Sequence, residues 1–409
     1  MQILISAGEA SGEMYGAQLI EALHAHGEPG ILARQGTTVD GRDARPSSNL
    51  SFFGAGGECM RAAGCEIVVD AKDLAVVGIT EVLGHLPKIL DLYKKLIRTA
   101  DERRPALAVV IDSPGFNWRV ARQMRRRGIP VVYYVCPQFW AWRQGRVKLL
   151  RKYVNKALVI FPFEEKFYCD RGVDATFVGH PLADTPMPTV TREAYATEHS
   201  LDPSKPWITL MPGSRRKEVR MNLPTMLEAA QRLGPTYEFL LPVARTLEKS
   251  SLQSLVETRL ATPPAAERQS RPAAVPVCFV SEALPALYHS RAGVVASGTA
   301  TVEAALMETP FVMVYSVSPI TYALGTPRIK VPHYAMVNLI AGEEIVPELV
   351  QRRFTADNVV AELDRVIPDG DARQKMIQGL KSVREKLKRP DSAHRPADRA
   401  AEMILGMLK

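Results

Sequence analysis

The sequence predicts an α/β fold made of two doubly wound domains that face each other across a cleft. Three observations lead to this prediction. The chain has 409 residues, which is too long for one ordinary hydrophobic core. Short apolar runs alternate with amphipathic helical stretches, a pattern typical of strand–helix–strand units and parallel sheets. The pattern breaks once, where Pro181, Pro186 and Pro188 predict an interdomain linker, and then starts again.

The first half of the chain contains six short apolar runs separated by helical stretches, and we expect a first domain over residues 1–185. The predicted strands are residues 2–6, 66–69, 107–112, 131–136, 157–161 and 175–178. The predicted helices include residues 12–26, 84–101, 117–127 and 164–171.

The second half repeats this alternation and predicts a second domain over residues 190–380. Its predicted strands are residues 207–211, 238–241, 275–280, 293–296 and 311–315. Two segments have the composition of surface insertions, residues 28–49 and residues 262–274. Residues 381–409 are expected to form helices that pack back on the first domain or on a partner subunit.

Composition favours a soluble globular protein, since 46% of the residues are hydrophobic and 23% are charged. The longest apolar stretch, residues 74–90, contains Glu81, His85, Pro87 and Lys88, which argue against a membrane span. The first residues lack the basic region of a signal peptide, so we expect a cytoplasmic protein.

Metal and cofactor signals are weak throughout. The five cysteines form no CxxC pair, which disfavours a zinc site or a disulfide framework. There is no HxxxH or HExxH spacing and no paired aspartate at a predicted strand end. We therefore expect neither a metal ion nor a cofactor.

The net charge of +8 comes partly from two basic clusters. Such clusters suit nucleic acid, anionic lipid head groups or phosphorylated substrates, although a solvated helix face explains each cluster equally well. Nucleic acid is disfavoured because the aromatic residues do not alternate with the basic runs. The clusters are Arg122, Arg125, Arg126 and Arg127, then Arg143, Arg146, Lys148, Arg151 and Lys152.

Ligands of open α/β sheets bind beyond the carboxyl ends of the strands, so the residues after each predicted strand are candidates for chemistry. Glu9 and Ser11 lie in a glycine-rich turn after the first strand, which suits either close backbone approach to a ligand or simple helix capping. This turn is not GxGxxG, which disfavours a nicotinamide cofactor. Asp112 ends another strand and is either a general base for a hydroxyl group or the organiser of an Asx-turn.

Two further features fall in the first half. Trp140 and Trp142 lie beside Arg143 after a predicted strand, an arrangement that suits a sugar ring or acyl chain near a phosphate. Core packing explains one of these tryptophans equally well. His180 ends the first domain and either lines the cleft or belongs to a structural turn.

The second half offers a nucleotide-sugar site. Arg215 follows a Pro-Gly-Ser turn and begins a helix, which suits a phosphate or an ordinary capped helix start. Ser297, Gly298 and Thr299 begin another helix after a strand and can present N–H groups and hydroxyls to a pyrophosphate. Glu303, one turn further on, can accept hydrogen bonds from a ribose or simply favour the helix start.

These motifs, taken in order, resemble the lipid-A-disaccharide synthase family, inverting glycosyltransferases of the two-Rossmann type called GT-B. The resemblance runs from residue 8 to residue 342. It rests on Gly8-Glu9-Ala10-Ser11-Gly12, Val77-Gly78-Ile79-Thr80-Glu81-Val82-Leu83, Ile111-Asp112-Ser113-Pro114-Gly115-Phe116-Asn117, Trp140-Ala141-Trp142-Arg143, Gly179-His180-Pro181, Pro212-Gly213-Ser214-Arg215, Ser297-Gly298-Thr299-Ala300 with Glu303, and Asn338-Leu339-Ile340-Ala341-Gly342.

The resemblance implies transfer of 2,3-diacylglucosamine from its UDP conjugate to 2,3-diacylglucosamine 1-phosphate (lipid X) without a metal ion. It implies that Asp112 is the general base and that Arg215, Glu303 and Asn338 bind UDP. Residues 74–90 match a region that meets acyl chains and the membrane surface. The resemblance implies a peripheral enzyme on the cytoplasmic face of the inner membrane. Some members of the family form homodimers, so it also makes a homodimer one possible state of this protein.

The sequence departs from the family pattern at a few positions. Glu13 stands where the family usually has aspartate, and Val337 stands where proline is commoner. Rival interpretations are a UDP-N-acetylglucosamine 2-epimerase, the glucosaminyltransferase that forms lipid II, or a lipid-binding scaffold without activity.

Overall fold

A computed structural model describes residues 1–8, 10–27, 50–74, 79–244, 247–261, 275–389 and 394–408. The chain divides into two compact units. The first unit consists of Met1–Pro181 and Leu387–Lys409, and the second consists of Leu182–Lys386. Both segments predicted as insertions, 28–49 and 262–274, lie outside the described residues.

The first unit is built on a parallel sheet of seven strands among the described residues. Its strands are β1 (Gln2–Ala7), β2 (Ser51–Gly56), β3 (Cys65–Asp70), β4 (Leu107–Ile111), β5 (Val131–Tyr134), β6 (Lys156–Val159) and β7 (Ala175–Phe177). Its helices up to β7 are α1 (Ala10–Gly27), α2 (Glu58–Ala62), α3 (Ala71–Leu74), α4 (Ile79–Arg103), α5 (Pro114–Arg126), α6 (Phe139–Trp142), α7 (Val147–Tyr153) and α8 (Pro162–Cys169). The strand order is β3-β2-β1-β4-β5-β6-β7.

The centre of this sheet forms because its strands are apolar on both faces. All five residues of β4 are fully buried, as expected for a parallel strand covered by helices on both sides. The sequence prediction missed β2, whose run contains two glycines. Gly54 is required there, because a Cβ at this position would collide with the carbonyl oxygen of Ile5 on β1.

Most of the apolar stretch 74–90 belongs to α4, which contains Pro87. Residues 75–78 lie outside the described residues, as do the side chains up to residue 86. Among the parts of the chain that are described, no helix is both long enough and apolar enough to cross a membrane.

The second unit has its own parallel sheet, with six strands among the described residues. Its elements are α9 (Arg192–His199), β8 (Trp207–Met211), α10 (Arg216–Leu233), β9 (Glu238–Pro242), α11 (Lys249–Ala261), β10 (Val277–Val280), α12 (Ala283–His289), β11 (Ala292–Ala296), α13 (Thr299–Leu306), β12 (Phe311–Tyr315), α14 (Pro319–Gly325), α15 (Met336–Ala341), β13 (Glu348–Val350), α16 (Ala356–Val366) and α17 (Asp371–Leu387). The strand order is β10-β9-β8-β11-β12-β13. The predicted α/β class with two doubly wound parallel sheets is confirmed.

The end of the chain returns to the first unit. The last helix, α18 (Pro396–Gly406), packs against α1. His26 Nε2 lies 3.3 Å from Asp398 Oδ1, and the backbone N–H of His180 donates to the carbonyl of Leu387 at 3.0 Å. The C-terminal residues therefore complete the core of the unit that the N-terminal residues begin.

Candidate functional site

Each sheet has a topological switch point, where the chain stops adding strands on one side and starts on the other. In the first unit the switch lies between β1 and β4, and in the second it lies between β8 and β11. Ligands of doubly wound sheets bind beyond the carboxyl ends of the strands at this point. The residues that follow these four strands are therefore the first candidates for chemistry.

In the first unit the structure brings the glycine turn and Asp112 together. A Cβ built on Gly8 would collide with Ser113 Oγ, and one built on Gly12 would lie 3.7 Å from Asp112 Cβ. Gly8 therefore permits a close approach that a larger residue would disturb, whereas a Cβ on Gly12 would make only an ordinary van der Waals contact. The two motifs, far apart in sequence, form one surface at the switch point.

The backbone of Asp112 is strained and firmly held. Asp112 and Ser113 have φ values of 48° and 45°, a left-handed conformation that costs non-glycine residues about 1–3 kcal/mol each. Three hydrogen bonds stabilise the backbone of Asp112 in this conformation. The carbonyl of Asp112 accepts hydrogen bonds from Asn117 Nδ2 at 3.0 Å and from Tyr133 Oη at 2.8 Å, and its N–H donates to Tyr134 O at 3.2 Å. The backbone thus fixes the direction in which the Cα–Cβ bond of the partly buried Asp112 leaves the chain.

Other residues of the glycine turn have different positions. Ser11 is exposed in the first turn of α1, whereas Glu9 lies outside the described residues. Glu13 Oε1 accepts a hydrogen bond from the N–H of Cys59 at 2.7 Å, next to the start of α2. The longer carboxylate at position 13 therefore reaches across to stabilise a neighbouring helix start.

Trp140 lies in the core, which corrects its interpretation as an acceptor or cleft residue. Only 4% of Trp140 is exposed, and its Nε1 donates to Glu164 Oε1 at 2.8 Å. Glu164 also accepts from the N–H groups of Ile160 and Phe161 at 3.2 and 3.0 Å. Burial raises the pKa of Glu164 to about 7, although these three hydrogen bonds favour its ionised form.

Trp142 has the opposite environment from Trp140. Residues two positions apart on a helix do not share a face, so burying one tryptophan of α6 exposes the other. Trp142 is 46% exposed, and the guanidinium of Arg143 lies 3.8 Å from the centre of its ring. This pair presents an aromatic surface and a cation together.

His180 is also a core residue, so its interpretation as a cleft residue is wrong. It is 1% exposed and its ring lies 5.3 Å from that of Phe161. Burial lowers the pKa of His180 to about 3, so the ring is neutral near pH 7.

In the second unit, Arg215 follows β8 and precedes α10. Its side chain is 62% exposed, and its Nη1 lies 3.3 Å from Glu218 Oε1. Glu218 Oε2 also accepts from the N–H of Ser214 at 3.2 Å, which braces the turn. An exposed surface ion pair contributes little to stability, so Arg215 can exchange Glu218 for a ligand anion at low cost.

Ser297, Gly298 and Thr299 follow β11 and lead into α13. Gly298 has a φ of 138°, which glycine alone adopts readily, and no atom lies within 4 Å of the position its Cβ would take. Gly298 and Thr299 are exposed. The first N–H groups of a helix have no acceptor within the helix, so this start can bind an anion.

Glu303 lies one turn into α13. Burial raises the pKa of its carboxyl to about 7. Among the described residues this carboxyl has no hydrogen-bond or ion-pair partner. A mostly buried acid without a partner next to an open helix start is typical of a ligand site.

Asn338 does not offer its side chain to a ligand, which corrects the direct contact that the resemblance implied. It is fully buried, and its Nδ2 donates to Val346 O at 2.9 Å and to Glu348 Oε1 at 2.8 Å. Its Oδ1 accepts from the N–H groups of Ile345 and Val346 at 2.9 and 3.0 Å. All four hydrogen-bonding positions of this amide are therefore occupied.

Several supporting residues were missed by the sequence analysis, namely Asn117, Tyr133, Asn222 and Glu348. Asn222 shows what they share. Its Nδ2 donates to Pro212 O at 2.9 Å, and its Oδ1 accepts from Ser316 N at 3.1 Å, so it joins the turns after β8 and β12. The only sequence signal is a polar residue at an otherwise apolar position of an amphipathic helix.

Comparison with known proteins places these residues in context. A family model described as lipid-A-disaccharide synthetase matches residues 3–402. The lipid-A-disaccharide synthase of Koribacter versatilis is 49% identical over 407 residues, covering 100% of this chain and 98% of that protein. The one from Acidobacterium capsulatum is 48% identical over 391 residues, covering 96% and 93%.

Solved structures with the same fold are more distant in sequence. The glycotransferase of kitacinnamycin has a TM-score of 0.60 at 16% identity, covering 100% of this chain and 99% of its own. The UDP-GlcNAc 2-epimerase of Neisseria meningitidis, solved with UDP-GlcNAc, has a TM-score of 0.59 at 12% identity, with the same coverage. At these identities the likeness concerns the fold alone, which is of the GT-B type.

Proposed function

The chain belongs to the lipid-A-disaccharide synthase family of hexosyltransferases, and on this premise we propose its substrates, its catalytic residues and its location. The donor is UDP-2,3-diacylglucosamine, and the acceptor is the 6-hydroxyl of 2,3-diacylglucosamine 1-phosphate. The products are the β-1,6-linked tetraacyl disaccharide 1-phosphate and UDP. The observation that carries this proposal is the family match over nearly the whole chain.

The second unit binds the UDP part of the donor. The exposed guanidinium of Arg215 and the N-terminal N–H groups of α13 stabilise the negative charge that grows on the departing diphosphate. Glu303 accepts hydrogen bonds from the ribose hydroxyls, which supply the partners that its carboxyl lacks. These groups provide the charge stabilisation that leaving-group departure needs, so the proposal requires no metal ion.

The first unit supplies the base. Asp112 removes the proton from the acceptor 6-hydroxyl as this oxygen attacks the anomeric carbon from the face opposite UDP, so the configuration inverts. The support for this role is the strained backbone of Asp112, which three hydrogen bonds hold in place. Residues in such strained conformations cluster at catalytic sites. Trp142 and Arg143 offer a surface for the acceptor sugar and its phosphate.

We also propose that the protein binds the anionic cytoplasmic face of the inner membrane without crossing it. The helices α5 and α7 pack together and carry cations that have no carboxylate partner among the described residues. Such unpaired cations attract anionic head groups with roughly 1 kcal/mol each near a bilayer surface. They are Arg122, Arg125, Arg126, Lys148, Arg151 and Lys152.

The decisive experiment offers the protein both acylated substrates and follows the release of UDP and the formation of the disaccharide. We expect both products from the wild type. Asp112→Asn should lower turnover by about a thousandfold or more and leave UDP affinity unchanged. Turnover of unacylated UDP-sugars alone would overturn the assigned substrates, and near-normal turnover in Asp112→Asn would remove this residue from the role of base.

A further inference from the structure

Glu348 on β13 holds the segment that leads into α15. Its carboxylate accepts hydrogen bonds from the N–H of Tyr334 at 2.9 Å, the N–H of Ala335 at 2.9 Å and Asn338 Nδ2 at 2.8 Å. Its side chain is 10% exposed, and within 4.0 Å the nearest basic atom among the described residues is His333 Nδ1 at 3.8 Å. The negative charge therefore depends mainly on three N–H donors from one short segment.

This segment is connected to the start of α13. The carbonyl of Tyr334 accepts a hydrogen bond from Ser297 Oγ at 2.8 Å, and Ser297 immediately precedes Gly298. The two N–H bonds from Tyr334 and Ala335 to Glu348 fix the position of that carbonyl. A continuous hydrogen-bonded path thus runs from Glu348 to the open helix start.

Asn338 belongs to the same network through Glu348. Because all four positions of its amide are occupied, a direct bond to a nucleotide would require it to break a buried bond. A buried amide whose hydrogen bonds are all made within the protein has a structural effect. Asn338 joins the segment before α15 to the residues before β13.

We infer that Glu348 is a positioning residue for donor binding and that Asn338 acts through Glu348 without touching the nucleotide. This inference rests on the proposed function, in which the second unit binds the UDP part of the donor. Together the two residues fix the position of the segment 334–338 relative to Ser297. Through the hydrogen bond of Ser297 to Tyr334, they also fix the geometry of the start of α13. Their loss should raise the KM for the donor and leave the KM for the acceptor unchanged.

The test is a double-mutant cycle on UDP affinity, measured by titration calorimetry with the wild type, Asn338→Asp, Glu348→Gln and the double variant. Asn338→Asp places a second carboxylate against Glu348 and should weaken UDP binding about tenfold, or ~1.4 kcal/mol. In the Glu348→Gln background the neutral amide removes this repulsion between two carboxylates, so Asn338→Asp should cost less than about threefold. Glu344→Gln removes an exposed charge nearby and is the matched control.

The outcomes are distinguishable. An equal loss from Asn338→Asp in both backgrounds, or no loss in either, overturns the inference. Absence of UDP binding in the wild type overturns the proposed function instead, and is established first.

A second measurement uses Asn338→Ala, which adds no charge and covers the case in which a Glu348 variant does not fold. We expect weaker UDP binding together with faster amide exchange at Tyr334 and Ala335, because their acceptor loses a partner. Weaker binding with unchanged exchange at these amides would mean that Asn338 touches the nucleotide directly, and would refute the positioning role.

Discussion

Replacing Glu303 by glutamine tests whether an uncompensated acid is buried at the start of α13. Burial raises the pKa of this carboxyl from 4.5 to about 7. A group whose pKa is raised in the folded state contributes stability that is fully present below its ordinary pKa and is lost as the pH rises through the folded value. Wild-type stability should therefore fall between about pH 4.5 and pH 7 by a contribution that Glu303→Gln lacks.

The size of this effect follows from the shift. At 1.36 kcal/mol per pKa unit, a rise from 4.5 to about 7 corresponds to roughly 3 kcal/mol. The assay is urea unfolding of both proteins at several pH values from 4 to 8, with the transition of the second unit followed separately. The variant should be close to the wild type at pH 4 and more stable than it by about 3 kcal/mol at pH 8.

The ionisation of Glu303 should also affect the affinity of the protein for UDP. Hydroxyl donors from a bound ribose would stabilise the ionised carboxylate, so the advantage of the wild type over Glu303→Gln in UDP affinity should grow from pH 5 to pH 8. Glu257→Gln, an exposed change on α11, serves as the control. A constant difference in unfolding free energy between wild type and Glu303→Gln across this range would refute the reasoning.

Two further predictions concern backbone geometry. Tyr133→Phe removes one of the two side-chain donors to the Asp112 carbonyl. It should lower the free energy of unfolding by about 1 kcal/mol and turnover about tenfold, with UDP affinity unchanged. Normal turnover would show that the strained turn keeps its conformation without this hydrogen bond. Gly298→Ala meets no atom within 4 Å but forces alanine to a φ of 138°, so UDP affinity should fall about tenfold. Gly325→Ala, where the φ is −82° and the space is equally open, should leave affinity unchanged, and equal losses in both variants would contradict the strain argument.

The fold was predictable where the apolar pattern is long and continuous. The predicted strands 207–211 and 311–315 coincide with β8 and β12, because β12 is an unbroken apolar run and only Thr209 interrupts that of β8. The two missed strands lack that signal. In β2 two glycines replace apolar side chains, and β13 has three residues, too few for any periodicity to appear.

The candidate site was predictable in position but not in detail. Asp112, Arg215 and Gly298 were predicted as candidates because the carboxyl ends of parallel strands meet along one edge of each sheet. Which side chain faces inward depends on tertiary contacts that the sequence does not display. Trp140 and Asn338 were therefore assigned to ligands, although Glu164 and Glu348 bind them in the core.

The return of α18 to α1 has a consequence for how the protein is made. Because synthesis proceeds from the N-terminus, all residues of the second unit leave the ribosome before α18 does, so the second unit can finish folding first. Until then α1 lacks the cover that α18 provides. A premature stop or a protease cut shortly before α18 would thus leave the second unit intact and damage the first unit, which carries Asp112.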